Sequence, residues 1–379
     1  MENLIEKAKK IFPGDGHRSF FAPGRINLIG EHIDYNGGYV LPCALDLGTY
    51  GVAQAREDDV VSCYSENFPE IGTVNFSLLD LKYRAEDDWA NFVKGMCKEL
   101  GVEQGFNLYV SGNIPNGAGL SSSASLEVLV GVVVNNLFGL GFSALEIVKA
   151  AHRAENEFIG VKCGIMDQFI IGMAREESGI LLNTSDLEHY FVKIDLGEHI
   201  LLIGNTNKKR TLASSKYNER REECEKALQI LQGRFKINAL CDLTSKELPE
   251  CEALLQDEVL FRRVRHAVTE NERTKEAYRA LEKGDLREFG ALLNASHASL
   301  RDDYEVTGHE LDSMQELFLK YGALGARMTG AGFGGCAIAL VKADAAETMI
   351  EKVGPEYQER TGLAADFYLV RVGSGAREL

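Results

Sequence analysis

The sequence contains few residues that mark flexible linkers, and it has no long hydrophobic run. Only 7 of its 379 residues are proline, and no proline-rich, serine-rich or like-charge stretch divides the chain. Any boundary between domains is therefore expected to be packed rather than tethered. The longest uncharged apolar stretch, Val128 to Val134, is far shorter than the roughly 20 residues that span a bilayer. Acids in the first residues are atypical of a signal peptide, so we expect a cytoplasmic protein with no membrane partner.

Paired cysteines and an excess of basic residues are also missing. The eight cysteines include no C-x-x-C pair, and no histidine lies at metal-ligand spacing. Free thiols in a reducing compartment are thus expected rather than a zinc site or a redox dithiol. The 57 acidic residues outnumber the 41 basic ones, which gives a net charge of -16. Such an excess repels nucleic acid phosphates and anionic lipid, so neither is the expected partner.

Length and pattern predict an α+β protein. A chain of 379 residues suggests two or three domains. Short β-type runs dominate residues 1–110, and buried helices are expected at 123–138 and 145–158. Amphipathic helices follow from about residue 214, and the longest of them, at 261–293, is broken near Gly284. A helix at 345–353 separates two late strands. Because strands and helices do not alternate regularly, we expect two domains, residues 1–194 and 195–379.

A glycine- and serine-rich segment, Ile114 to Ser125, carries the sharpest local signal. It lies between a predicted strand and a long helix, where free N–H groups and the helix dipole favour an anion. A Walker A loop would need a lysine, which this segment lacks. The segment therefore predicts a phosphate site built from backbone donors, and the alternative is a serine-rich helix cap.

A second glycine cluster, Thr329 to Gly335, formally contains G-x-G-x-x-G. The residues after it, Cys336 to Val341, read as a strand rather than a helix, which argues against a dinucleotide-binding fold. We expect a loop between extended segments that packs against a ligand or another loop. A plain hairpin turn is the alternative.

Two further segments contain acidic residues that could bind a substrate or act in catalysis. Residues 24–38 bring Arg, Glu, His and Asp together among glycines, an arrangement that suits a polyol because its hydroxyls can donate to carboxylates and accept from arginine. A solvated turn with a surface ion pair is the alternative. Asp167 lies in an otherwise apolar run, so it is either a satisfied buried acid or a tuned catalytic group.

Taken together, these segments resemble the three ordered motifs of the GHMP small-molecule kinases, most closely those of the members that phosphorylate galactose. The first is Gly24 to Tyr35, the second Pro115 to Ser125 and the third Met328 to Gly335. The resemblance extends through 89–95, 213–221 and 300–307, nearly the whole chain. It implies an N-terminal domain like domain 2 of ribosomal protein S5 and a C-terminal ferredoxin-like domain, with the active site between them.

The resemblance also implies a reaction and its residues. The reaction is ATP-dependent phosphorylation of the anomeric hydroxyl of α-D-galactose, giving galactose 1-phosphate and ADP. Asp167 would be the catalytic acid residue and Arg25 its cationic partner, while Ser123 and Glu155 would hold Mg²⁺. The sugar pocket would be lined by Glu31, His32, Asp34, Gly164 and Tyr217. The ATP phosphates would be wrapped by Pro115, Gly117, Ala118, Gly119, Leu120, Ser121, Ser122, Ser123, Ala124 and Ser125. A monomer is expected.

Four departures from the family pattern put the exact sugar in question. Ile33 and Tyr39 replace the more usual Thr and His, Phe92 replaces a Tyr, and Arg210 replaces a His. Phosphorylation of N-acetylgalactosamine or L-arabinose is therefore an alternative. A non-catalytic sugar and ATP sensor is a second alternative, which the uninterrupted serine loop and Asp167 disfavour. Homoserine or mevalonate phosphorylation fits the second motif but not the first.

Overall fold

The computed structural model describes residues 2–115, 119–208 and 213–379. Its first part is rich in strands and contains five α-helices among the described residues. The strands are β1 (Arg18–Asn27), β2 (Tyr39–Val40), β3 (Pro42–Ala55), β4 (Val60–Ser65), β5 (Val74–Ser77), β6 (Phe106–Gly112), β7 (Ser178–Asn183) and β8 (His189–Lys193). The helices are α1 (Glu2–Ile11), α2 (Ala90–Glu99), α3 (Ser122–Phe138), α4 (Ala144–Arg153) and α5 (Met166–Met173).

The second part is mainly helical and contains a smaller sheet. Its helices are α6 (Ala213–Leu231), α7 (Leu248–Leu255), α8 (Glu258–Lys283), α9 (Leu286–Asp302), α10 (His309–Lys320) and α11 (Ala346–Thr361). Its strands are β9 (His199–Asn205), β10 (Gly325–Thr329), β11 (Cys336–Lys342), β12 (Asp366–Val370) and β13 (Arg377–Glu378). Within the described ranges, no helix is long and apolar enough to cross a membrane.

Two sheets organise the described strands. The larger has the order β13-β1-β3-β6-β4-β5, and β7 also pairs with β3 and carries β2 and β8 as its further partners. Only β4 and β6 pair in parallel. The smaller has the order β10-β11-β9-β12 and is antiparallel throughout. Strand β13 pairs Phe20 with Glu378, so the end of the chain returns to the first sheet. All four strands of the smaller sheet lie after residue 195. The domain division at 194 stays a prediction.

Helix α3 forms the centre of the first core, as its apolar sequence indicates. It packs on β1 and β3 and against α2, α4 and α5, and Val128, Leu129, Val130, Val133 and Val134 are fully buried. A helix that is apolar on all sides is stable only when its whole surface is covered. The predicted helix at 123–138 is thus confirmed, and it carries the phosphate segment at its N-terminus.

Other predicted helices have the expected places with altered ends. The break near Gly284 is confirmed: Gly284 has a φ of 69°, and the Asp285 carboxylate caps α9 by accepting from the Glu288 N–H at 3.0 Å. The helix predicted at 145–158 is α4 followed by a π-helical segment, Ala154–Ile159. The helix predicted at 345–353 continues as α11 to Thr361, because Val353 and Tyr357 both lie on its buried face.

Candidate active site

Arg25 and Asp167 form the charged centre of the site. Arg25 follows a β-bulge in β1, and its guanidinium donates from Nε and Nη2 to the two carboxylate oxygens of Asp167, at 2.7 and 2.6 Å. Its Nη1 donates to the Gly119 carbonyl at 2.7 Å. Burial opposes the charge of Arg25, but attraction by Asp167, Glu31 and Asp34 leaves its pKa above the usual value. The first motif is thereby fixed to the second.

Asp167 lies in the first turn of α5, where the helix dipole favours a negative charge. The Ser121 hydroxyl donates to its Oδ2, in addition to the two bonds from Arg25. Its side chain is still 28% exposed. Each carboxylate oxygen has two acceptor sites, so Oδ1 keeps one for a further donor. Asp167 is consequently held in one orientation while remaining accessible to a substrate.

The predicted sugar residues and the predicted catalytic pair line one cavity of about 540 Å³. Its wall includes Arg25, Glu31, His32, Asp34, Gly164, Asp167 and Tyr217, together with residues of the 160–166 loop, the start of α6 and the third motif. These residues come from segments that are up to about 300 positions apart in the chain, and the fold brings all of them together.

Asp34 and Gly164 meet at the wall of this cavity. A Cβ built on Gly164 would lie 1.9 Å from Asp34 Oδ2, so any larger residue at this position requires the Asp34 side chain to move. Burial, followed by the charges of Asp167 and Glu31, raises the pKa of Asp34 to about 7. Near neutrality this carboxyl group can exchange a proton, and it can both donate to and accept from a hydroxyl.

Glu31 and His32 line the cavity, but their polar atoms are largely engaged by the protein. The Glu31 carboxylate accepts from the Gly330 N–H at 2.7 Å and from Asn27 Nδ2 at 2.9 Å. His32 Nε2 donates to the Ala331 carbonyl at 3.1 Å, and its Nδ1 accepts from the Tyr35 hydroxyl at 2.8 Å. Burial, together with nearby His266, lowers the pKa of His32 to about 3, so the ring is neutral.

These contacts change the role expected for His32 in the first motif. Both ring nitrogens of His32 are used, so its side chain shapes the pocket and has no nitrogen left for a sugar hydroxyl. The glycine cluster at 329–335 forms the loop between β10 and β11, as expected, and Glu31 and His32 hold it against the first motif. The prediction of a loop packed against another loop is confirmed.

The second motif is described from Gly119 onward and at Pro115, whereas the predicted phosphate residues Gly117 and Ala118 lie outside the described residues. Ser121 precedes α3 with a φ of 62°, Ser122 is exposed and Ser123 is half-buried. The side chains of Leu120, Ala124 and Ser125 are buried in the core, and the Ser125 hydroxyl donates to the Ala22 carbonyl at 2.9 Å. Their side chains therefore cannot serve an anion, and the Ser125 N–H is also engaged, since it donates to the Ser121 carbonyl at 3.0 Å.

Ser123 and Glu155, the predicted cation ligands, are in contact. The Ser123 hydroxyl donates to Glu155 Oε1 at 3.0 Å. Glu155 is 8% exposed, and burial, then repulsion from Asp167, raises its pKa. A hydroxyl and a carboxylate beside a phosphate-binding helix terminus match the oxygen ligands that Mg²⁺ prefers. The residues present therefore fit this cation.

A set of buried polar residues in the second half, not predicted from the sequence, supports the first motif. The Glu270 carboxylate accepts from the Gly30 N–H at 3.0 Å, and His266 Nε2 donates to the Glu31 carbonyl at 3.0 Å. Arg327 donates to the carbonyls of residues 27 and 28. Their only signal in the sequence is the polar residues His266 and Glu270, four positions apart on one face of a long helix. That spacing does not identify their partners.

Comparisons with known proteins agree with this geometry. Three family models match: the galactokinase galactose-binding signature at residues 9–55, the GHMP kinases N terminal domain at 90–175, and the GHMP kinases C terminal model at 277–359. A galactokinase of Enterococcus faecalis is 52% identical, over 100% of this chain and 99% of the relative. A galactokinase of Clostridium acetobutylicum is 51% identical, over 99% of this chain and 98% of the relative. The chain belongs to the galactokinase family.

Solved structures support the same assignment and the fold. The crystal structure of Lactococcus lactis galactokinase complexed with galactose superposes with a TM-score of 0.97 at 48% identity, covering 100% of this chain and 99% of the other. The Methanococcus jannaschii mevalonate kinase, at 21% identity and a TM-score of 0.66, is similar in fold alone. The expected α+β, two-domain GHMP kinase fold is confirmed.

The three described departures from the family pattern do not line the cavity. Ile33 is fully buried in the core, and Phe92 is half-buried and packs against the same core. Tyr39 donates its N–H to Asn271 Oδ1 at 2.9 Å, and its ring packs under Lys275. Arg210 lies outside the described residues. The three described replacements therefore change the packing of the core and of the helix that contacts Tyr39 rather than a wall of the cavity.

Proposed function

We propose that this member of the galactokinase family transfers the γ-phosphoryl group of ATP to the anomeric C1 hydroxyl of α-D-galactose, with Asp167 and Arg25 as the catalytic pair. Galactose phosphorylation with ATP as co-substrate is the reaction of the family. The observation that carries the residue assignment is the Asp167 carboxylate, which three donors fix at the cavity wall and which is still partly exposed.

Asp167 would receive the proton of the C1 hydroxyl. As the C1 oxygen forms its bond to the γ-phosphorus, the bond from that phosphorus to the β,γ-bridging oxygen breaks and ADP leaves. The hydroxyl proton passes to the free acceptor site on Asp167 Oδ1. Arg25 keeps the carboxylate oriented and compensates its charge. Because the transition state is loose, orientation of the hydroxyl is the larger part of this task.

The phosphate side of the site would consist of backbone donors. The first turn of α3 offers N–H groups to the β- and γ-phosphates, and the exposed Ser122 adds a hydroxyl beside them, whereas the Ser121 hydroxyl is already donated to Asp167. Ser123 and Glu155 would hold Mg²⁺. When bound, this cation neutralises charge on the phosphates. The arrangement explains how a chain of net charge -16 can bind a polyanion without a lysine in its phosphate loop.

The sugar side would use Asp34, Gly164 and Tyr217. Tyr217 comes from the start of α6, and its ring centroid lies 5.5 Å from those of His32 and Tyr35. Burial and the charge of Asp34 raise the pKa of Tyr217, so its hydroxyl stays protonated and can donate to a sugar oxygen. Two further parts of the proposal, a cytoplasmic location and a monomeric state, follow from the sequence expectations alone.

The experiment is a coupled ADP-release assay on the wild type, Asp167→Asn and Asp195→Asn, over galactose, N-acetylgalactosamine, L-arabinose, glucose and mevalonate. Asp195 is an exposed aspartate that serves as the matched control. We expect galactose to be the preferred sugar, Asp195→Asn to be unchanged, and Asp167→Asn to lose turnover while it binds ATP normally by calorimetry. Undiminished turnover in Asp167→Asn would refute the assignment.

A further inference from the structure

Behind the candidate cation ligands lies a fully buried polar pair, Gln168 and Glu127, both 0% exposed. The Gln168 side-chain amide Nε2 donates to Glu155 Oε2, and it also lies 3.4 Å from Glu127 Oε2. One amide group thus bridges two carboxyl groups. Neither residue belongs to the catalytic pair or to the sugar wall, so the reaction itself does not explain them.

The positions of these residues on their helices tie the pair to the active site. Glu127 follows Ser123 by four positions on α3, so the two side chains share one helix face. Gln168 follows Asp167 directly on α5. The two helices that supply the candidate cation hydroxyl and the catalytic carboxylate therefore also supply the two members of the buried pair.

The segment that carries Glu155 needs such support. Glu155 lies in the π-helical stretch Ala154–Ile159, where the Gly160 N–H bonds to the Glu155 carbonyl at 3.0 Å in place of an α-helical bond. Wider turns of this kind often mark functional sites. The Glu155 side chain contacts Ser123 from this segment, and the backbone does not determine which carboxylate oxygen faces the predicted phosphate loop.

The two carboxylate oxygens of Glu155 have different partners. Oε1 accepts from the Ser123 hydroxyl at 3.0 Å, whereas Oε2 accepts from Gln168 and lies 3.5 Å from Cys163 Sγ. Oε2 is thus occupied by the protein, and Oε1 is presented toward the phosphate loop. Burial, then repulsion from Glu155, raises the pKa of Glu127, which favours its neutral form.

The pair is also costly to bury, which indicates a purpose other than packing. Glu127 Oε1 and Gln168 Oε1 have no hydrogen-bond partner among the described residues. An unsatisfied buried polar atom destabilises a fold, because it loses its bonds to water and gains none in the protein. Apolar side chains of similar volume would pack here without that cost.

We propose that Gln168 and Glu127 are positioning residues for the cation of phosphoryl transfer: the Gln168 amide holds Glu155 Oε2, which directs Oε1 toward the cation, and Glu127 fixes the amide. This inference rests on the proposed function, since it assigns the Ser123–Glu155 pair to the cation. Outer partners of metal ligands typically contribute 10–100-fold to metal affinity.

The test measures cation binding without turnover. Mn²⁺ is titrated into each protein in the presence of ADP and followed by electron paramagnetic resonance, and galactose binding is measured by calorimetry. Gln168→Met removes the amide at similar volume, Glu127→Leu removes the acid, and Glu127→Gln keeps a polar group of the same shape. Gln168→Asn, whose amide is one methylene shorter, replaces Gln168→Met if that variant does not fold.

We expect Gln168→Met to weaken Mn²⁺ binding by about 10–100-fold while the galactose affinity stays within twofold. Glu127→Leu should weaken it in the same direction, and Glu127→Gln should restore it. Unchanged Mn²⁺ affinity in Gln168→Met and Glu127→Leu would overturn the inference. So would a parallel loss of Mn²⁺ affinity, galactose affinity and Tm, since that result would indicate a packing role alone.

Glu155→Gln separates this inference from the proposed function. If Glu155→Gln binds Mn²⁺ as well as the wild type, the cation assignment in the proposed function is wrong, and the inference is overturned with it. If Glu155→Gln loses affinity and Gln168→Met does not, only the positioning role is wrong.

Discussion

Among the acid–arginine pairs at the cavity, two differ in how their carboxylates are exposed. Arg25 and Asp167 meet through two bonds of 2.6–2.7 Å, and the Asp167 side chain is 28% exposed. Arg327 and Glu31 approach to 3.5 Å, and their side chains are 0% and 3% exposed. The first pair presents a carboxylate to the cavity, whereas the second joins the first motif to β10. Residue type does not separate these two pairs, and we predict that the fixed but exposed carboxylate of Asp167 is the catalytic one.

Arg25→Met breaks the exposed pair. Its effect should be larger than that of Gly164→Ala, Glu31→Gln or Asp34→Asn. It removes both bonds to Asp167 and the bond to the Gly119 carbonyl. Loss of a preorganised charged donor typically lowers kcat by about 10²–10³-fold. Steady-state kinetics measures the change. Arg18→Met is the matched control, because Arg18 lies on the same strand and forms a similar but exposed pair with Glu378; equal losses in the two variants would contradict the account.

Gly164→Ala changes the cavity wall next to the exposed pair. The added methyl group overlaps Asp34 Oδ2, so the carboxyl group must move away from the sugar. A displacement of about 1 Å at a reacting site can cost about 100-fold in rate. We expect kcat/KM for galactose to fall by that order, with nucleotide binding unchanged in calorimetry. Gly354→Ala, within α11 and with the nearest atom an ordinary 3.6 Å from the added Cβ, is the control; normal kinetics in Gly164→Ala would show that the Asp34 contact does not matter.

Glu31→Gln breaks the buried pair and should affect stability more than turnover. It removes the carboxylate 3.5 Å from Arg327 in a dry environment and leaves Glu270 as an acidic neighbour, so we expect a loss that approaches, without exceeding, the cost of about 3–5 kcal/mol for a broken buried pair. Urea unfolding measures the loss. The control is Glu198→Gln, whose exposed pair with Lys342 is expected to contribute little to stability. A stability loss in Glu31→Gln no larger than the control's would contradict the structural role.

The pH dependence of Asp34 should give the smallest effect. Burial and its acidic neighbours raise its pKa to about 7, so between its ordinary pKa and pH 7 the folded state holds a proton that the unfolded state has lost. This group therefore makes the ligand-free protein less stable as the pH rises through that window. Asp34→Asn should have a Tm above that of the wild type at pH 8 and close to it at pH 4. A Tm difference that does not depend on pH would be inconsistent with the raised pKa.

The sequence predicts local structure and the convergence of three motifs well. Helix α3 and the break at Gly284 follow from apolar patterning and a capping residue, which are local signals. The common location of Arg25, Asp167 and the serine loop followed from resemblance in motif order. The return of β13 to the first sheet has no such signal, because a two-residue strand depends on which edge the fold leaves open.

The hydrogen-bond partners of individual side chains could not be predicted from the sequence. His32 is a reasonable sugar ligand by position, yet its nitrogens bond Tyr35 and Ala331, and the second partner is 299 residues away. Glu270 supports Gly30 from the other half of the chain. Periodicity shows which face of a helix is buried, but the partner of a buried polar group is determined by tertiary packing.

The comparison of the two pairs leads to one direct measurement: ADP release with saturating galactose and ATP by Asp167→Asn and Glu31→Gln, each checked for folding by circular dichroism. The account predicts that Asp167→Asn loses about 10²–10⁴-fold in kcat while folded Glu31→Gln retains turnover within about tenfold. Equal turnover in the two variants, or a larger loss in Glu31→Gln, would show that exposure does not identify the catalytic acid.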